Sequence, residues 1–181
     1  MRCGGGGPKI VNSPHLTLVT LTEELRPEFL ALAEDYLAAG EDRYRPALAD
    51  FPAYLRGLRE GERGLNLPAG RVPYSTFWLS AGRRLLGRTT VRHHLTPELE
   101  YEGGHIGYDI RPSERGKGYG TLILRLALEK ARERGWRRVL LSCDTDNVGS
   151  AKVIERNGGR LEGHAISRRS GKRLSRYWVE L

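Results

Sequence analysis

Cysteine is scarce in this chain: two among 181 residues, Cys3 and Cys143. Two cysteines this far apart make neither a disulfide framework nor a zinc site, and the usage suits a reducing cytoplasm. Long apolar runs are missing too. No stretch approaches the ~20 residues that cross a bilayer, so no membrane role is expected. The opening "MRCGGGGPKI" is basic but lacks an apolar core segment, so it does not read as a secretory signal. Residues 1–14 read as a flexible tail and 15–181 as one domain, since no repeat and no clean boundary interrupts the remainder. The densest basic patches, "RERGWRR" and "RRSGKRLSR", lack the interleaved aromatics of a single-strand binder. No motif that reads DNA or RNA is present either, so no nucleic-acid partner is expected. The net charge of +8 then describes a solvated arginine-rich surface with a general pull on polyanions and phosphorylated cofactors.

What is present alternates between the two structural periods. "LTLVTL" (16–21) reads as a strand, and Thr22 is placed to cap a helix over about 23–39 that ends at Gly40. "RYRPALADFPAYLRGLREG" suggests further helix broken at Pro46 and Pro52. "YSTFWLSAGRRLLGRTTVRHHL" reads as two strands turning at Ala81, Gly82 and Arg83. "TPELEYEGG" reads as a loop and "HIGYDI" as a strand. A helix over about 119–134 buries Ile123, Leu124, Ala127, Leu128 and Ala131. "RRVLLSC" follows as a buried strand, and then a helix capped by Asp146 or Asn147. "RLEGHAI" and "RLSRYWVEL" close the chain as two strands turning near Ser170 and Gly171. This order predicts an α/β or α+β domain around a mixed central sheet.

"RPSERGKGYGT" (111–121) puts glycine at 116, 118 and 120, where a strand ends and a helix opens. Glycine costs a helix roughly 1 kcal/mol relative to alanine, so three of them need a reason. The first N–H groups of a helix lack partners and favour an anion, and glycine lets that anion approach the backbone. Arg115 and Lys117 add full charge. The stretch is therefore built as a cradle for phosphate or pyrophosphate. A P-loop requires Ser or Thr after the lysine, and the dinucleotide fingerprint requires G-x-G-x-x-G near a first strand. Both fail here.

The spacing R-x-x-G-x-G, spelled by Arg115, Gly118 and Gly120, resembles the coenzyme A signature of the GNAT acetyltransferase superfamily. "GYDIRPSERGKGYG" resembles that family's fourth strand and pyrophosphate loop, and "LSCDTDNVGSAKVIERNGG" its fifth strand and following helix. The resemblance covers about residues 74–166, and the N-terminal helices by topology. It implies a GNAT fold with splayed fourth and fifth strands and acetyl-CoA as co-substrate, without a metal. By the same resemblance, Asp109, Ile110 and Arg111 would run along the pantetheine arm. Arg115, Gly116, Lys117, Gly118, Tyr119, Gly120 and Thr121 would hold the pyrophosphate. Asn147 would reach the pantetheine or thioester, with Ser150 as a further contact.

The reaction so implied is acetyl transfer to a primary amine by direct attack in a ternary complex. It needs a base for the amine, a donor for the oxyanion and a proton for the departing thiolate. Two family patterns are missing. The position seven after the helix Asn, often Tyr, is Ile154, and the place of an early fourth-strand Glu falls at Gly104. The candidates for proton transfer are His105, Glu102 just before it and Asp109 on the same strand face as His105, with a water chain as the other route. His93 and His94 point to opposite faces, so at most one meets the cleft. The resemblance implies a small-molecule or peptide amine as acceptor, its side of the site shaped by residues 40–75, where Glu41, Asp42 and Asp50 could attract a cation. A homodimer is the default expectation for such a fold. A catalytically silent coenzyme A sensor is the other reading that the missing Tyr and Glu leave open.

Overall fold

The structure is a computed structural model and describes residues 15–181. The reading of 1–14 as a tail, and Cys3 with it, lies outside the described residues. The chain forms β1 (Leu16–Val19), α1 (Arg26–Ala38), α2 (Arg45–Ala49), α3 (Phe51–Arg63), β2 (Tyr74–Ala81) and β3 (Arg84–Arg92). Then come α4 (Pro97–Tyr101), β4 (Ile106–Ile110), α5 (Tyr119–Glu133), β5 (Arg138–Asp144), α6 (Val148–Arg156), β6 (Arg160–Ile166) and β7 (Arg173–Glu180). The α/β class holds, and the sheet comes in two parts, ordered β1-β2-β3-β4 and β5-β7-β6. Every ladder within them is antiparallel, so the mixed sheet expected from the sequence is resolved into two antiparallel ones.

Three local expectations change. Thr22 makes no side-chain cap, and a single 3-10 turn, Glu23–Leu25, comes before α1. Pro46 and Pro52 start helices rather than break them. Each falls in a first helical turn, where the missing N–H has no helical partner to lose. "PELEY" is a helix, because the Thr96 hydroxyl accepts from the Leu99 N–H at 3.3 Å and Pro97 pre-sets the first turn.

Two layers of helix hold the sheets. On one face of the first sheet, Phe29, Leu32 and Tyr36 of α1 pack with Tyr44, Phe51, Leu55 and Trp78. On the other face lies α5, whose Leu124, Ala127, Leu128 and Ala131 meet Ile106 of β4 together with Val139, Leu141 and Tyr177 of the second sheet. Ile123 meets Leu79 and Leu86 of the first sheet. Burying side chains of this size stabilises by about 1.5–3 kcal/mol each. α5 therefore spans both sheets and fixes the distance between β4 and β5.

Candidate active site

β4 and β5 touch at one end and part at the other. The His105 N–H donates to the Leu140 carbonyl at 2.7 Å, and the Leu140 N–H donates to His105 Nδ1 at 2.9 Å. Gly104 bridges to Leu141, and its lack of a Cβ is what admits the Leu140 carbonyl so closely. Beyond this vertex no ladder joins the two strands. On β4's other edge, Arg92 donates to the His105 carbonyl and Arg111 to the Leu86 carbonyl. By antiparallel alternation, odd-numbered residues of β4 bond β3, and the backbone groups of Tyr108 and Ile110 turn toward the gap. The strand edge turned toward the gap is thus Tyr108 and Ile110, with the Ile110 carbonyl accepting from Arg115. Asp109 and Arg111, expected in that role, direct their backbone to β3.

The loop that follows is pinned from both sides. Arg111 Nε meets Asp35 Oδ2 at 2.6 Å, and the Ser113 hydroxyl donates to the same oxygen at 2.6 Å. Burial works against the Asp35 charge, but these donors prevail and hold its carboxyl below its ordinary value. Buried Glu114 accepts from Lys117 Nζ at 2.9 Å and from Arg84 at 2.6 Å. The Lys117 salt bridge, then burial opposing it, then Arg84 leave that carboxyl lowered as well. Gly116 and Gly118 adopt φ of +78° and +85°, the left-handed region that side chains resist. Among the described residues, the N–H groups of residues 116–120 have no backbone acceptor. Gly120 serves differently: a Cβ there would sit 3.1 Å from Val153, so the glycine lets α5 lie close against α6.

A cavity of about 570 Å³ runs from these amides to the fork. Of the residues expected to bind the cofactor, Ile110, Arg115, Gly116, Gly118, Tyr119, Gly120, Thr121, Asn147 and Ser150 line it. Arg111 and Lys117 do not. Their side chains are the pins just described, and only the Lys117 amide belongs to the cradle. Asn147 caps α6, its Oδ1 accepting from the Ser150 N–H at 3.0 Å. Arg115 donates to the Ile110 carbonyl and pairs with Glu41 at 2.6 Å. The sequence reading missed Tyr108 and Arg43, and it missed Lys152 and Arg156 on α6. Helical spacing four apart was the available signal for that last pair.

Of the three proton-transfer candidates, only Asp109 faces this cavity. His105 is spent as the clasp at the vertex, and its ring lies 5.0 Å from that of Trp136. Burial, with Arg92 and Arg138 nearby, holds its imidazole below the ordinary histidine value. With His93, His94 and Trp178 it lines a separate cavity of about 370 Å³. Neither His93 nor His94 lies within β3, which ends at Arg92. Glu102 binds the β6–β7 turn instead, accepting from the Ser167 hydroxyl at 2.7 Å and the Arg168 N–H at 3.1 Å. These two sequence candidates are corrected for one reason: each side chain already holds backbone in place away from the cavity.

Asp109 is surrounded. It accepts from the Tyr36 hydroxyl, and its other oxygen lies 3.0 Å from Arg43 and 3.4 Å from Arg88. Burial first, and then the Asp109 charge, push the Tyr36 phenol well above its ordinary value. On the opposite face of β4, Tyr108 directs its hydroxyl to the Ser150 carbonyl at 3.4 Å. Burial pushes this phenol up to about 12. Cys143, its neighbour on β5, is pushed up to about 11 by burial and then by Asp144, so it is a protonated thiol and no nucleophile at neutral pH. Among the described residues no group of His, Cys, Asp and Glu is arranged to hold a metal ion.

An amide cradle at a helix start opens into a fork between two strands, a shape suited to a phosphate carrying an extended arm. A family model described as the acetyltransferase (GNAT) domain matches residues 15–160, and the chain belongs to that family. It is an acetyl-CoA-dependent acetyltransferase, with acetyl-CoA as co-substrate. Among curated proteins nothing matches the chain. Several solved structures share its fold. One is the Salmonella typhimurium acetyltransferase that modifies the N-terminal serine of ribosomal protein L7/L12 (18% identity, 94% of this chain and 96% of that one, TM-score 0.66). Another is Mycobacterium smegmatis RimJ in complex with CoA-disulfide (19%, 91% and 81%, 0.70). A third is the microcin C7 self-immunity acetyltransferase MccE in complex with acetyl-CoA and AMP (15%, 97% and 96%, 0.69). At these identities the likeness is one of fold.

Proposed function

We propose that the chain moves the acetyl group of acetyl-CoA to a primary amine by direct attack in a ternary complex, and that the amine is the α-amino group of a peptide or protein. The observation that carries the reading is the placement of Asp109 and Tyr108 on opposite faces of β4 beside one cavity. The pyrophosphate rests on the amides of residues 116–120, and the pantetheine arm pairs with the Tyr108 and Ile110 backbone. An amide of that edge donates to the oxyanion. Asp109 is a carboxylate held between Arg43, Arg88 and Tyr36. It attracts the ammonium and receives its proton through the Tyr36 hydroxyl or a water. The Tyr108 phenol, protonated at neutral pH, donates to the departing thiolate, the task that Ile154 cannot perform. Support for an α-amino acceptor comes from a neighbour of the same fold that modifies an N-terminal serine.

The test is release of free coenzyme A thiol against a panel of peptides, lysine side chains and small amines. Turnover confined to free peptide N-termini supports the reading. Turnover only with small amines replaces the acceptor class, and tight acetyl-CoA binding without turnover on any amine leaves a sensor. Asp109→Asn is expected to lower kcat about 10²–10⁴-fold, with acetyl-CoA affinity held within a few-fold.

A further inference from the structure

The cations around the cavity divide into two kinds. Arg43 meets Glu41 and Asp109, and Arg115 meets Glu41 and the Ile110 carbonyl. Lys117, just outside, meets Glu114. Lys152 and Arg156 also line the cavity, yet among the described residues neither side chain makes an ion pair or a hydrogen bond. They stand four apart on α6, hence on one flank of it. The next residue along in each case locates that flank. Val153 packs against Gly120, and Asn157 Nδ2 donates to the Thr121 carbonyl at 3.2 Å. The pair therefore stands beside the first turn of α5, at the rim of the amide cradle. The amides already supply donors for the pyrophosphate, so two unneutralised cations at its edge point to a second, separate anion.

We propose that Lys152 and Arg156 form the seat of the 3′-phosphate of coenzyme A, and so make the enzyme select coenzyme A over its 3′-dephospho form. The inference rests on the cavity being the acetyl-CoA site. In coenzyme A the 3′-phosphate hangs from the ribose, one ring beyond the pyrophosphate. It is dianionic for much of the physiological pH range. A guanidinium gives it a planar fork of donors and an ammonium a point charge, and both are free to move because nothing else holds them. No other cation lining the cavity is available without first breaking an ion pair.

Calorimetric titration of coenzyme A and 3′-dephospho-CoA into the full chain tests this. Wild type is expected to bind coenzyme A at least about tenfold more tightly. The double variant Lys152→Ala, Arg156→Ala should lose that preference while its affinity for 3′-dephospho-CoA stays unchanged, which also reports an intact fold. Equal losses for both ligands would assign the pair to the pyrophosphate and overturn the proposal. So would an unaltered preference in the variant, or none in wild type. Failure of wild type to bind either compound would overturn the acetyl-CoA site itself, a separate result.

Discussion

Gly118 shows how one residue serves a site. Its φ of +85° admits only glycine at low cost, and nothing fills the space where a Cβ would stand. Gly118→Val forces a left-handed valine and pushes a branched side chain toward the phosphate. Acetyl-CoA affinity should fall at least tenfold in a chain whose thermal melt remains cooperative, read by calorimetry and circular dichroism. His105 carries a different prediction. Its folded imidazole titrates below the ordinary value of about 6.5, so near and below that pH the unfolded chain binds a proton that the folded chain refuses. Its contribution to stability is therefore present above about pH 6.5 and is lost as pH falls through the window beneath. His105→Gln keeps an acceptor for the Leu140 N–H and cannot titrate, so its melting temperature should fall less steeply than wild type between pH 7 and 5. Identical slopes would remove His105 as the clasp. Tyr108→Phe should lower kcat about tenfold or more while acetyl-CoA affinity holds, checked by steady-state thiol release and calorimetry.

Elements settle what residues alone leave open. The glycine loop, α5 and the Asn147-capped α6 were legible because turn chemistry, apolar spacing and capping all agree over 111–157. α4 was missed because its five residues are too few to show a period, although Thr96 and Pro97 signalled its start. The catalytic candidates, with His105 foremost, could not be separated correctly from sequence. His105, Glu102 and Asp109 are alike as titratable groups near one strand, and what separates them is long-range. His105 is claimed by Leu140 across the fork, and Glu102 by Ser167 in the distant β6–β7 turn. Tyr108 was passed over because the resemblance pointed to α6 for a phenol, whereas a phenol beside the cavity stands on β4. The Glu102 contact yields its own expectation. Glu102→Ala should speed amide exchange at Arg168 and leave acetyl-CoA affinity unchanged. A large loss of that affinity would return Glu102 to the coenzyme site.

At the scale of the molecule, two half-sheets share α5, and the cavity opens at the gap between them. α5 sets its width, the His105–Leu140 contacts close one end, and the pinned loop 111–118 opens the other. Charge divides in the same way: in a chain of net charge +8, the cavity cations Arg43 and Arg115 are held in ion pairs, while Lys152 and Arg156 have none among the described residues. On the proposed function, this gap and its amide cradle together read coenzyme A, arm and phosphates both. Calorimetric titration of acetyl-CoA, coenzyme A and ATP at two salt concentrations tests it most directly. Saturable one-to-one binding of both coenzyme A compounds is expected, with ATP at least about tenfold weaker because it has no arm to pair with Tyr108 and Ile110. Equal affinity for ATP would contradict it, reducing the three glycines to a general anion site.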